Sequence, residues 1–442
     1  FLNAGAARQS EDCLYLNVWT PGTDAKRRPV LVWIHGGAFL VGSGSAAIYN
    51  GDGLARRSDM VVVTLNYRLG ALGFVHLDKV CGPGFENSSN LGLRDQLAAL
   101  AWVRENIERF GGDPSNVTVC GQSAGAMSVA ALLGVSAKDR FFRRAILQSG
   151  AAANVISRSK ADQIGEAFLA ALGQPARTRA ALSEIPTSQI LQAQGRINRE
   201  LTSVSDLMVM VPCVDGTLVP TQPLRQVQTG ALRDIDLMIG TTLDEWKLFS
   251  PLEARLPSFG RDTLSDRFSE VLQITSPRAP GPRLAAQQYR KAVQERGGRT
   301  SAFEVWCAYQ SARFFHLPAA QLANAHAEAG GRVHSYLFSW KPPGLRHSVG
   351  ACHAMDIPFV FGIFNRQALR LLPGFVAPAQ RLSDRMQDAW AGFARSGEPS
   401  HARGPSWDLY EPEHRSSLSL DRECGMVDRP LEAELELMES WL

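Results

Sequence analysis

Long apolar runs are missing from this chain. None of its 442 residues falls in a stretch of 18 consecutive apolar residues, which argues against a helical membrane span. The opening residues, Phe1-Leu2-Asn3-Ala4-Gly5-Ala6-Ala7-Arg8, lack the charged and apolar regions of a secretory signal. They also lack an initiator Met, so processing upstream and a cytoplasmic or secreted location both stay open. Cysteine is sparse and odd in number. Seven residues, widely spaced and without a C-x-x-C pair, argue against a disulfide scaffold or a zinc knuckle. An excess of one charge is also missing. Lys and Arg total 46 against 43 Asp and Glu, and the arginines are scattered, which gives no reason to expect nucleic acid as a partner. No internal repeat is visible. What remains, 45% hydrophobic and 20% charged, is ordinary for a globular protein.

The first half alternates strand and helix signals. Cys13–Thr20, Pro29–Ile34, Met60–Asn66, Asn116–Cys120 and Ala145–Gln148 read as strands. Pro29–Ile34 and Met60–Leu65 are nearly continuous apolar runs, which suit strands of a parallel sheet covered on both faces. Leu93–Phe110 reads as a helix, because Leu93, Leu97, Leu100, Ile107 and Phe110 recur near the helical period. Gly111-Gly112-Asp113-Pro114 stops it. Strand character returns at Asp236–Gly240 and Arg332–Trp340, and late helices are expected at Arg381–Arg395 and Leu431–Leu442. Residues 151–230 are rich in helix formers, and 251–300 look polar and broken. The pattern predicts an α/β fold: one sheet-centred domain over residues 1–442, with helical insertions at about 151–230 and 245–330.

Gly121-Gln122-Ser123-Ala124-Gly125 sits between the strand signal Asn116–Cys120 and a helix-like run, Ala124–Leu133. In that setting G-x-S-x-G becomes a sharp turn that lifts a serine hydroxyl above the sheet. The pentapeptide alone is weak, since a chain of this length produces one by chance in roughly 10–20% of cases. A serine nucleophile also needs a base and a group to orient the base, following it in the order acid then His. Histidines beyond Ser123 are His316, His326, His334, His347, His353, His401 and His414. His353 lies in a loop of small residues, Gly350-Ala351-Cys352-His353-Ala354, after a strand. Asp244 and Glu245 both follow the strand at Asp236–Thr242, and either could orient the base. Donors for an oxyanion are expected from the His35-Gly36-Gly37-Ala38-Phe39 loop and from the residue after the nucleophile, Ala124.

Several stretches together resemble the type-B carboxylesterases of the α/β-hydrolase superfamily, the group of bacterial p-nitrobenzyl esterases and cholinesterases. They are Ser10–Asn17, Trp33–Phe39, Asn66-Tyr67-Arg68-Leu69-Gly70, Asn90–Gln96, Phe110–Ala126 and His353–Gly362. The resemblance implies a mostly parallel twisted sheet flanked by helices, with helical insertions forming the pocket. It implies a serine carboxylesterase acting on a small-molecule ester through an acyl-enzyme. Ser123 matches the nucleophile, Glu245 the acid and His353 the base. The N–H groups of Gly37, Ala38 and Ala124 match the oxyanion hole. No metal or cofactor is implied.

The chain departs from the family pattern in places. Trp246 stands where the family usually has Gly after the acid, so its ring is expected to narrow the pocket or displace the Glu245 loop. Gln122 replaces a commoner Glu beside the nucleophile. The family has several tens of residues before the Glu11-Asp12-Cys13 motif, near which this chain begins, so edge strands and part of the pocket wall are expected to be missing or disordered. Trp246, Ser149 and Gln122 are candidates for lining the pocket or supporting the triad from behind. Two other functions remain in play on the same fold: a non-catalytic binding protein, and a hydrolase of amide, carbamate or thioester bonds.

Overall fold

A computed structural model describes residues 9–136, 140–173, 178–202, 208–250, 264–276, 278–343, 349–363, 376–399 and 406–442. Its centre is a nine-stranded sheet in the order β1-β3-β2-β4-β5-β6-β7-β8-β9. The strands are β1 Leu16–Trp19, β2 Arg28–Ile34, β3 Val61–Leu65, β4 Gly112–Gln122, β5 Arg144–Gln148, β6 Asp236–Thr242, β7 Val333–Phe338, β8 Ser417–Leu420 and β9 Gly425–Val427. Strands β3 to β8 run parallel. The edge strands β1 and β9 run antiparallel to their neighbours.

The continuous apolar runs are explained by burial on both faces. Along β2, Val30, Val32 and Ile34 join one core, while Leu31 and Trp33 join another. That is the period of two of an extended chain. The helices Leu91–Asn106 and Ala124–Leu133 cover the first face. The long helix Val376–Ser396 covers the second.

The structure departs from the expected pattern in three places. The strand expected at Asn116–Cys120 begins earlier, at Gly112, which already pairs with Arg28 of β2. The stretch 251–300 contains two well-formed helices, Leu264–Thr275 and Pro282–Glu295. They bury Phe268, Val271, Tyr289 and Val293 in a separate core shared with Leu435, Met438 and Trp441 of the last helix, Glu432–Trp441. Strands β8 and β9 carry too few residues to be seen in the sequence. Among the described residues, no helix is long and apolar enough to cross a membrane.

Candidate active site

Strand β4 delivers Gln122 to the sheet edge, and Ser123 follows with φ 57° and ψ −128° before the helix Ala124–Leu133 begins. A non-glycine residue in that region carries strain of order 1–3 kcal/mol, held by its surroundings. The surroundings are specific. Ser123 N donates to Gln148 O at 2.8 Å, and Met127 N donates to Ser123 O at 2.9 Å. A side chain on Gly121 would collide with the Gly125 carbonyl carbon, and one on Gly125 with the Ile34 carbonyl. Both glycines are therefore required by close backbone approach.

The loop after β2 takes three positive φ angles in succession, at Gly37 (121°), Ala38 (55°) and Phe39 (60°). It packs on the elbow: a Cβ at Gly36 would lie 3.0 Å from Ser123 Cβ. The turn is closed by Leu40 N and Val41 N donating to Gly37 O at 3.0 and 3.1 Å. Among the described residues, the N–H groups of Gly37, Ala38 and Ala124 find no acceptor. Unpaired backbone donors that are buried or half-buried are uncommon. His35 is scaffold: its ring stacks on Tyr67 at 4.5 Å and its Nδ1 lies 2.8 Å from Gly36 O. Burial pulls its pKa down to about 4, so it stays neutral at pH 7.

His353 and Glu245 meet across the ends of β6 and β7. His353 Nδ1 lies 2.5 Å from Glu245 Oε2, and both side chains are buried. Glu245 Oε1 accepts the Thr242 N–H at 2.7 Å. Burial pushes the Glu245 pKa up, but the charge and hydrogen bond of His353, the hydroxyl of Ser149 and the neighbouring His316 outweigh it, and the net shift is down. Ser149 is fully buried, with φ 51° and its N–H on Gly240 O. Its hydroxyl lies near enough to Glu245 to lower that pKa without meeting strict hydrogen-bond geometry. Asp244, the other candidate acid, is engaged elsewhere, with Lys247 at 3.4 Å and Lys341 at 3.5 Å.

The remaining histidines are occupied or remote. His316 Nδ1 lies 2.8 Å from Thr241 Oγ1, His326 Nε2 lies 2.8 Å from Ile235 O, and His334 lies near Glu398. His414 is exposed. His347 and His401 lie outside the described residues.

Trp246 is almost fully buried, with its N–H on Ser311 Oγ at 3.0 Å. Its ring stacks on Phe314 at 5.0 Å and meets Phe249 at 5.3 Å. Phe249 and Phe315 in turn pack on the His353 ring, at 5.0 and 4.8 Å. Trp246 therefore stands one ring behind the imidazole, and Glu245 keeps its contact with His353. Displacement of the acid loop, one of the alternatives expected for this ring, is not seen.

Sequence reasoning missed the two phenylalanines, which nothing in their local pattern marks. It also missed Asp356, which is fully buried and accepts Gln148 Nε2 at 2.7 Å and the Tyr336 hydroxyl at 3.2 Å. Burial pushes its pKa up to about 6. Gln148 Oε1 in turn accepts Trp390 Nε1 at 3.0 Å.

Known proteins share this arrangement of chain. The family model described as "Carboxylesterase family" matches residues 2–438. The para-nitrobenzyl esterase of Bacillus subtilis (strain 168) is 37% identical over 96% of this chain and 82% of its own length. A phenmedipham hydrolase of Pseudarthrobacter oxydans is 32% identical over 95% of this chain and 81% of its own. A Geobacillus stearothermophilus carboxylesterase structure superposes with a TM-score of 0.86 at 34% identity, covering 99% of this chain and 87% of the other. The chain belongs to the carboxylesterase family of α/β-hydrolases, whose chemistry is carboxylic ester hydrolysis.

Proposed function

We propose that Ser123, His353 and Glu245 hydrolyse a small-molecule carboxylic ester through an acyl-enzyme. The observation that carries this assignment is the 2.5 Å contact of His353 Nδ1 with Glu245, at an elbow flanked by three unpaired N–H donors. Ionised Glu245 accepts a hydrogen bond from Nδ1–H, which leaves Nε2 as the basic nitrogen. Ser123 Oγ attacks the ester carbonyl as its proton passes to Nε2. The N–H groups of Gly37, Ala38 and Ala124 receive the developing oxyanion. His353 gives the proton to the departing alcohol. Water then attacks the acyl-enzyme with His353 again as base, and Ser123 is regenerated.

The rings of Phe249 and Phe315 beside the imidazole favour an ester with an apolar or aromatic group at that wall. Ser149 and Trp246 act behind the reacting atoms, through Glu245 and Phe249 respectively. The test is Ser123→Ala assayed with p-nitrophenyl butyrate. Turnover should fall below about 1% of the parent enzyme, because loss of a triad member costs about 10⁴ or more. Greater retention refutes the nucleophile assignment.

A further inference from the structure

Gln122 carries a contact that the reaction as described does not use. Its side-chain Nε2 lies 3.1 Å from His353 Nε2, the same nitrogen that must take the Ser123 proton. Among the described residues, no hydrogen bond joins the Ser123 hydroxyl to that nitrogen. The other imidazole nitrogen is committed to Glu245, an ionised carboxylate that can only accept. The neutral ring therefore carries its proton on Nδ1 and presents a lone pair at Nε2. The Gln122 amide nitrogen is a donor, and the contact is a complete N–H···N hydrogen bond. The amide is confined from its other side as well. A Cβ at Gly36 would lie 3.0 Å from Gln122 Oε1 and 2.7 Å from Gln122 O, so the glycine makes room for this side chain between the imidazole and the oxyanion loop.

We propose that Gln122 is a positioning residue that holds neutral His353 by donating to Nε2 and releases that nitrogen to Ser123 when substrate enters. The inference rests on the triad assignment above and deepens it. An amide donor at Nε2 favours the free base, whose lone pair it meets. It disfavours the imidazolium, whose Nε2–H would confront another N–H. After Ser123 gives its proton to Nε2, that nitrogen passes it to the leaving alkoxide. No atom beyond those of the ester, Ser123 and water enters the balance.

The charged and titratable groups around the ring are Glu245 at Nδ1, Asp356 in the turn that follows His353, and Cys352 next to it in the chain. Asp244 and His316 lie behind Glu245. All of these stay the same when only residue 122 is changed, so differences between variants report residue 122.

The experiment compares parent, Gln122→Met and Gln122→Glu. Met removes the donor with similar volume. Glu replaces it with an acceptor of similar shape. The acid limb of kcat/KM for p-nitrophenyl butyrate should rise in the order parent, Met, Glu. The Glu variant should move by about one pH unit or more, the usual effect of a carboxylate at this range. The His353 ring signal, assigned by its loss in His353→Asn and followed by ¹³C-histidine NMR of the free enzyme, should titrate in the same order. Superimposed profiles and titrations in an enzyme whose Ser123→Ala variant is inactive would overturn the proposal. An active Ser123→Ala variant would instead remove the triad assignment beneath it. Either Gln122 variant alone suffices if the other fails to fold.

Discussion

The carboxylates of Asp244 and Glu245 serve opposite sides of one loop. Glu245 Oε2 reaches His353 Nδ1 at 2.5 Å, while Asp244 lies between Lys247 and Lys341 and accepts the Ala351 N–H at 3.0 Å. Asp244 N also donates to Ala351 O, and His353 N donates to Glu245 O. The acid loop and the histidine loop are thus laced together by backbone as well as by the side-chain contact.

This division of labour separates two isosteric substitutions. Glu245→Gln should keep the fold and lower kcat by about 10³–10⁴, because an amide at Oε2 no longer enforces the Nδ1–H tautomer. Asp244→Asn should act mainly on stability, by about 1–3 kcal/mol, since it leaves Lys247 with one acidic partner fewer. Steady-state rates and urea unfolding of the two variants, measured side by side, check the contrast. Equal losses of kcat would refute it.

The loop at Gly37 makes a second prediction. A methyl group at Gly37 would strike the Val41 carbonyl, in a backbone conformation with φ 121° that side chains rarely adopt. Gly37→Ala should therefore shift the donors of Gly37 and Ala38 and reduce kcat by about 10²–10³. KM should change less, because the donors act on the oxyanion more than on the ground-state carbonyl. A kcat within about threefold of the parent would contradict the donor assignment.

Asp356 sets a pH dependence of stability. Its folded pKa, about 6, stands above the unfolded value of 3.8. The folded state therefore binds the extra proton between those values, and this group's contribution to stability declines as pH rises from about 4 to about 6. Above that it stays lost, by about 3 kcal/mol at 1.36 kcal/mol per unit. Asp356→Asn, which cannot ionise, should lack this decline. The difference in unfolding free energy between variant and parent should grow in the variant's favour from pH 4 to 6 and then level off. Parallel stability curves would show that Asp356 is ionised throughout.

Trp246 should behave as core. Trp246→Ala should cost about 3–5 kcal/mol in stability by removing the ring that supports Phe314 and Phe249. Well below the melting transition, folded variant should still react with one equivalent of an organophosphate at Ser123. A stable variant with altered ester preference and no loss of melting temperature would place the ring in the pocket instead.

Much of the site was legible because it is local. The turn at Ser123 and the turn at Gly37 both depend on glycines within a few residues, and backbone collisions tie each glycine to its place. The parallel strands were legible because both their faces are buried, which leaves unbroken apolar runs. Helices Leu264–Thr275 and Pro282–Glu295 went unread although Leu264, Phe268, Val271 and Leu272 recur at helical spacing; much of their partner surface lies in Glu432–Trp441, far along the chain. Strands β8 and β9 were hidden because three or four residues hold no period.

The residues of the sequence alone determined that a serine would stand on a strained elbow, that a glycine loop would lie after β2, and that acid and histidine candidates would follow in order. They did not determine which of two adjacent carboxylates faces His353, that Phe249 and Phe315 wall the imidazole, or that Gln122 meets its Nε2. Those were decided by how the ends of β4, β6 and β7 dock, strands separated by 90 or more residues of chain. Backbone strain is a local property and can be read residue by residue. The direction of a side chain at the end of a strand depends on what the rest of the fold brings against it.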